Sequence, residues 1–138
     1  MRASAPHTSR AFALVLGAVT SLTVLSGTAT AADIDAPYAR AAAKVSADAT
    51  LLDTRNVDSV TRGTGTTARG VYCVNVNRRA VADLSTAAIV ATLSNFRGEI
   101  TAIGAPHAYC GNSAGAITVV TSDSSGTPAD RPFTVAVL

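Results

Sequence analysis

Along "GVYCVNVN" the residues fall into two rows, Tyr72, Val74 and Val76 in one and Val71, Cys73 and Asn75 in the other. Side chains on a strand point alternately to its two faces, so this stretch predicts a strand. A cysteine in one row and an apolar row in the other predict cover on both faces, or nearly so. "GAITVVTSD" repeats the pattern, with Ile117, Val119 and Thr121 opposite Thr118, Val120 and Ser122. "GEITAIGA" sets Ile100 and Ala102 against Thr101 and Ile103, and Pro106 follows it. In "FTVAVL", Phe133, Val135 and Val137 alternate with Thr134, Ala136 and Leu138. An apolar strand left open invites aggregation, so this one is expected to be paired inside a sheet.

Two stretches are open to a second reading. In "AAAKVSADATLLDTRN" the alanines favour a helix, but "KVS" and "TLLDT" flank "ADAT", where Asp48 suits a turn. Residues 38–50 are therefore read as a hairpin, with a helix as the rival, and "VDSVTR" continues as a short strand. In "TAAIVATLSNF", Ile89, Val90 and Leu93 form an apolar run without helix punctuation. Residues 86–96 are read as a strand, with an amphipathic helix as the rival. "DIDAPYAR" reads as an extended or poorly ordered entry segment, and "GTGTT", "NRRAVADLS" and "SSGTPADRP" as turns and loops. Six to seven short strands separated by Gly, Asn, Asp and Pro predict an all-β fold, a small antiparallel β-sandwich or barrel.

The first residues have a different pattern. "MRASAPHTSR" carries Arg2 and Arg10, "AFALVLGAVTSLTVL" is apolar, and "SGTATAA" supplies small residues, with Ala29-Thr30-Ala31 in the A-x-A arrangement. These three parts predict a secretory signal peptide over residues 1–32, a helix removed on export, and a single β domain over residues 33–138. The apolar run is short for a membrane span, so no span is expected once it is gone. The expected location is secreted, extracellular.

Removal of the leader changes the charge picture. The net charge of +2 comes from Arg2 and Arg10, and beyond them nine basic residues face nine acidic ones, scattered along the chain. No basic patch marks a nucleic-acid partner, and Arg78-Arg79 reads as a solvated turn. Cys73 and Cys110 are an even pair in an exported chain, which predicts a disulfide joining two sheet segments. With one histidine beyond the leader, His107, and no C-x-x-C spacing, no metal site is expected, and no cofactor motif is present.

The stretch "HAYCGNSAG" is the one that invites a catalytic reading, because Gly111, Ser113 and Gly115 match the G-x-S-x-G spacing of a nucleophile elbow. That elbow needs a strand before the serine, a helix after it, and a histidine base later in the chain. A strand pattern follows Ser113, and His107 precedes it by six residues. Without His107 the only lysine, Lys44, would have to serve as base. The stretch is therefore read as a cysteine followed by a turn, with no catalytic residue. Asp53 with Asp58, or Asp123 with Asp130, are the candidate glycosidase carboxylates, but their spacing predicts no facing pair. Tyr38, Tyr72 and Tyr109 are the candidates for a sugar platform, with Tyr72 expected in the core.

Four stretches, "VSADATLL", "VDSVTRGTGTTARGVYCVNV", "ATLSNFRGEITA" and "AITVVTSDSSGTPADRPFTVAV", carry a resemblance. In this order, and above all in the ending "ADRPFTVAV", the chain resembles a β-rich module of uncharacterised exported proteins from actinobacteria. The resemblance implies an exported β fold and supplies no catalytic residues. The functional expectation is a secreted non-catalytic β-module with a binding or structural role at the cell exterior, its partner a protein or the cell surface. The alternatives are a small secreted protease inhibitor presenting "APHAYCGNS" and, last, a serine hydrolase using Ser113.

Overall fold

A computed structural model describes residues 31–64 and 68–138. The expected leader helix lies outside the described residues, as does the end of the "GTGTT" turn. Nine strands are present among the described residues: β1 (Ala32–Asp33), β2 (Ala41–Val45), β3 (Leu51–Arg55), β4 (Val57–Arg62), β5 (Val71–Val76), β6 (Ile89–Leu93), β7 (Glu99–Ile103), β8 (Ala116–Ser122) and β9 (Phe133–Val137). The one helical element is a 3-10 turn at Ala108–Cys110. The strands form a five-stranded sheet in the order β1-β3-β2-β9-β6 and a four-stranded sheet in the order β4-β5-β8-β7. All pairings are antiparallel except β1 with β3. The architecture is a two-sheet sandwich that does not close into a barrel.

The strand count exceeds the expected six to seven for two physical reasons. The entry segment contributes β1, two residues that pair with Asp53 and Thr54. The stretch 51–62 breaks at Asn56, whose φ of 54° takes the chain from one sheet to the other between β3 and β4. Asparagine tolerates this left-handed conformation better than most residues. The two ambiguous stretches resolve as strands. Residues 38–50 contain β2 and the turn that joins it to β3, and 86–96 contain β6.

The core lies between the sheets, and the period-two rows supply it. Tyr72, Val74 and Val76 of β5 meet Ile117 and Val119 of β8, and Phe133, Val135 and Val137 of β9 join Ala41, Ala43 and Val45 of β2. Small residues stand beside large ones: Ala41 is opposite Val137, Ala43 opposite Val135 and Val45 opposite Phe133. The Tyr72 and Phe133 rings meet edge to face with centroids 5.0 Å apart, an arrangement favoured by the ring quadrupole. Val81 and Leu84, in the β5–β6 connection, are also buried in this core. β9 is paired on both sides, by β2 and β6, as its apolar alternation requires.

Candidate functional site

The β7–β8 connection turns back against the outer face of the four-stranded sheet. On β5 the row opposite the core is Val71, Cys73 and Asn75, and Cys73 is bonded to Cys110 with the Cα atoms 5.6 Å apart. Cys110 lies in the 3-10 turn and not on a strand, so the bond pins a loop onto a sheet and does not join two sheet segments as expected. A second fastening comes from Thr64, whose N–H donates to the Tyr109 carbonyl at 2.8 Å. Under this cover Val71, Cys73 and Thr118 are buried, which explains why β5 is shielded on both faces.

Within the loop, the residues that suggested catalysis serve the backbone. His107 precedes the 3-10 turn, and its Nδ1 accepts from the Tyr109 N–H at 3.3 Å. Gly111 and Asn112 take left-handed backbone angles, φ 62° and 55°, which glycine and asparagine adopt at least cost. The Asn112 N–H returns to the His107 carbonyl at 2.9 Å. The Ser113 Oγ accepts from the Gly115 N–H at 3.4 Å, and its own N–H donates to the Cys110 carbonyl. No hydrogen bond joins His107 to Ser113 among the described residues. Lys44 is on β2 in the other sheet, paired with Asp53 at 3.1 Å.

The candidate carboxylates are likewise engaged separately. Asp58 accepts from the Asn77 side-chain amide at 3.1 Å. Asp123 organises its own turn through Ser125 and the Thr127 N–H. Of the three tyrosines, Tyr72 is fully buried and cannot offer a ring to a sugar, Tyr38 is exposed before β2, and Tyr109 packs edge-on against His107 at 4.7 Å.

One polar cluster escaped the sequence. At one end of the sandwich, Arg62 Nη1 meets Asp130 Oδ1 at 2.6 Å, while Nη2 donates to the Ala47 carbonyl at 2.6 Å. The Tyr72 hydroxyl donates to the same carbonyl at 2.9 Å, and the Gly70 N–H donates to Asp130 at 2.7 Å. The guanidinium also lies over the Tyr72 ring, 4.6 Å from its centroid. The cluster ties the β2–β3 turn, β4, the start of β5 and the β8–β9 connection together. Burial works against ionised Asp130, but the Gly70 N–H and the Arg62 guanidinium outweigh it and hold the carboxyl below the usual range. Burial pushes the Tyr72 phenol up. The partners are far apart in sequence and follow no local period, so no sequence signal could have found them.

The outer face of the five-stranded sheet carries a shallow depression of about 130 Å³ lined by Val90, Ala91, Thr92, Thr134 and Ala136. Small-molecule sites are typically about 300–1,000 Å³, so this is a surface feature and not a ligand cavity. No cluster of three or more metal-ligating side chains is found among the described residues. Comparison with protein-family models, with curated proteins and with solved structures finds no match.

Proposed function

We propose that the chain is a secreted, non-catalytic β-module with a binding or structural role at the cell exterior. The observation that carries this reading is the loop fastened to the sheet by Cys73–Cys110. Disulfides persist in oxidising compartments, which agrees with the export signal read in residues 1–32. A loop held in one conformation loses little entropy on meeting a partner, and this one exposes Pro106, Ala108, Tyr109 and Asn112. The use of Ser113 and His107 as turn supports favours display over catalysis. The resemblance to exported actinobacterial modules supports the same reading.

Expression of the whole chain in a Gram-positive host tests it. The expected product is extracellular, begins near Asp33, and has a mass two hydrogens below the reduced value. A retained leader or two free thiols would overturn the proposal. A fluorophosphonate probe tests the non-catalytic part, and covalent labelling at Ser113 in the folded protein would overturn that. The inhibitor reading draws on the same disulfide. A substrate-like loop docks extended, however, whereas Ala108–Cys110 forms a 3-10 turn with the Tyr109 carbonyl already engaged. Titration against a panel of serine proteases decides between the two.

A further inference from the structure

We propose that the Cys73–Cys110 bond is a redox latch: a dithiol reductant lifts residues 105–113 off the four-stranded sheet and uncovers Val71, Cys73 and Thr118, while the sandwich stays folded. The latch acts on the loop that the display reading makes the working surface, and it rests on that reading.

Three observations show that little besides the bond holds the loop down. The first is that the loop supplies its own hydrogen bonds. The N–H groups from Cys110 to Ser113 donate to the carbonyls of His107, Ala108 and Cys110, and that of Tyr109 donates to the His107 ring. Lifting the loop therefore strands none of these groups. By hydrogen bond, Thr64 alone among the described residues reaches in from outside, its N–H at 2.8 Å and its hydroxyl at 3.3 Å from the Tyr109 carbonyl.

The second is the lack of buried apolar surface. None of residues 105–113 is buried, and none belongs to the core, which lies on the opposite face of β5 and β8. The hydrophobic effect scales with the apolar area removed from water, so it adds little to docking here. The third lies beneath the loop. Thr118 stands opposite Cys73 across the β5–β8 pairing, is fully buried, and has no hydrogen-bond partner for its Oγ1 among the described residues. A buried hydroxyl without a partner opposes the packing that buries it.

Thiol–disulfide exchange releases the latch. Cys110 is half-buried and Cys73 is buried, so a reductant thiolate reaches Cys110 first. It bonds to the Cys110 sulfur, the S–S bond breaks, and Cys73 leaves as a thiolate that takes up a proton. The second thiol of the reductant then displaces Cys110, which is protonated in turn. Two electrons pass to the protein, and the dithiol becomes a disulfide. The carbonyls nearest the freed sulfurs are those of Tyr109, 3.6 Å from Cys73, and Tyr72, 3.8 Å from Cys110. A thiol is a weak donor, and the Tyr109 carbonyl is already engaged by Thr64, so these contacts do not replace the bond.

Alkylation tests this on the protein recovered from the expression described above, reduced with dithiothreitol, desalted under argon and treated with iodoacetamide. A docked loop shields Cys73 and a lifted one uncovers it. The expected result is that Cys73 reacts at a rate comparable to Cys110, while the β9 amides, in a strand paired on both sides, stay protected from exchange. Thr118→Val removes the stranded hydroxyl, so the reduced loop should settle back and Cys73 should react about tenfold more slowly. Thr118→Ser keeps the hydroxyl and should bring no slowing. A shielded Cys73 in the reduced parent would overturn the latch, as would a bond that dithiothreitol leaves intact in the folded protein. Loss of β9 protection on reduction, an unchanged rate in Thr118→Val, or equal slowing in Thr118→Ser would overturn it too. A retained leader or labelling at Ser113 counts against the display reading and leaves these rates as they are, so the two failures are distinct.

Discussion

Tyr72 performs two tasks with one side chain. Its ring packs against Phe133 in the core, while its hydroxyl leaves the core edge to reach the Ala47 carbonyl. Removing only the oxygen separates the tasks. Tyr72→Phe keeps the ring, and the Ala47 carbonyl keeps its bond from Arg62, so the expected loss is that of one neutral hydrogen bond, about 1 kcal/mol. Urea unfolding measures it, and a loss near that of truncating the whole ring, about 3–5 kcal/mol, would show that the hydroxyl anchors the packing as well. Ala49 presents the opposite case. It holds φ at 70° in the β2–β3 turn, a conformation costing an alanine about 1–2 kcal/mol. Ala49→Gly removes that cost and gives back part of it as unfolded-chain entropy, so the protein should gain roughly 0.5–1 kcal/mol. A loss in urea unfolding would mean that the Ala49 methyl group, which packs near the core, contributes more than the strain costs.

Among the elements, the loop bearing Cys110 has the least regular structure to hold it. Its fastenings are the disulfide, the Thr64–Tyr109 hydrogen bond and its own turn. Cys73→Ser with Cys110→Ser reopens a loop of 37 residues in the unfolded chain, an expected loss of about 4 kcal/mol in the chain-entropy model. Amide exchange should quicken at residues 105–113, while β2 and β9, in the other sheet, remain the slowest to exchange. Uniform acceleration across both sheets would show that the loop supports the whole fold. Strands such as β5, β8 and β9 were legible because one buried row per strand imposes a period of two on the sequence. The Cys73–Cys110 pairing was legible because a chain with two cysteines offers one partner each. The pairing order was not, because register and sheet crossing depend on single backbone angles such as that of Asn56. The true seat of Cys110 was hidden for a related reason, as a 3-10 turn of three residues leaves no periodicity to read.

At the scale of the whole molecule, the two sheets are closed at one end by the Arg62–Asp130 cluster, and its chemistry sets how the fold responds to acid. Asp130 is held below the usual carboxylate range, with burial opposing the Gly70 N–H and the Arg62 guanidinium. Asp48, Asp83 and Asp123 are lowered as well, each first by a nearby serine hydroxyl, from Ser46, Ser85 and Ser125. In the unfolded chain an aspartate titrates near pH 3.9, so on acidification the unfolded state takes up protons before the folded state does. Stability therefore rises with pH through this window: it is fully present above about 4 and is lost as pH falls through the lowered folded-state values. Asp130 is more than a third exposed, which screens its share, while the other three stand at the surface and are held chiefly by hydrogen bonds within their own turns. Urea midpoints measured between pH 6 and pH 2.5 should fall below pH 4, and Asp130→Asn, which keeps an acceptor for Gly70 but no charge for Arg62, should start lower and fall less steeply. If the variant and parent lose stability in parallel over that range, the acid response belongs to the surface turns, and the cluster at the end of the sandwich holds the sheets together by shape and hydrogen bonding with no dependence on its charge.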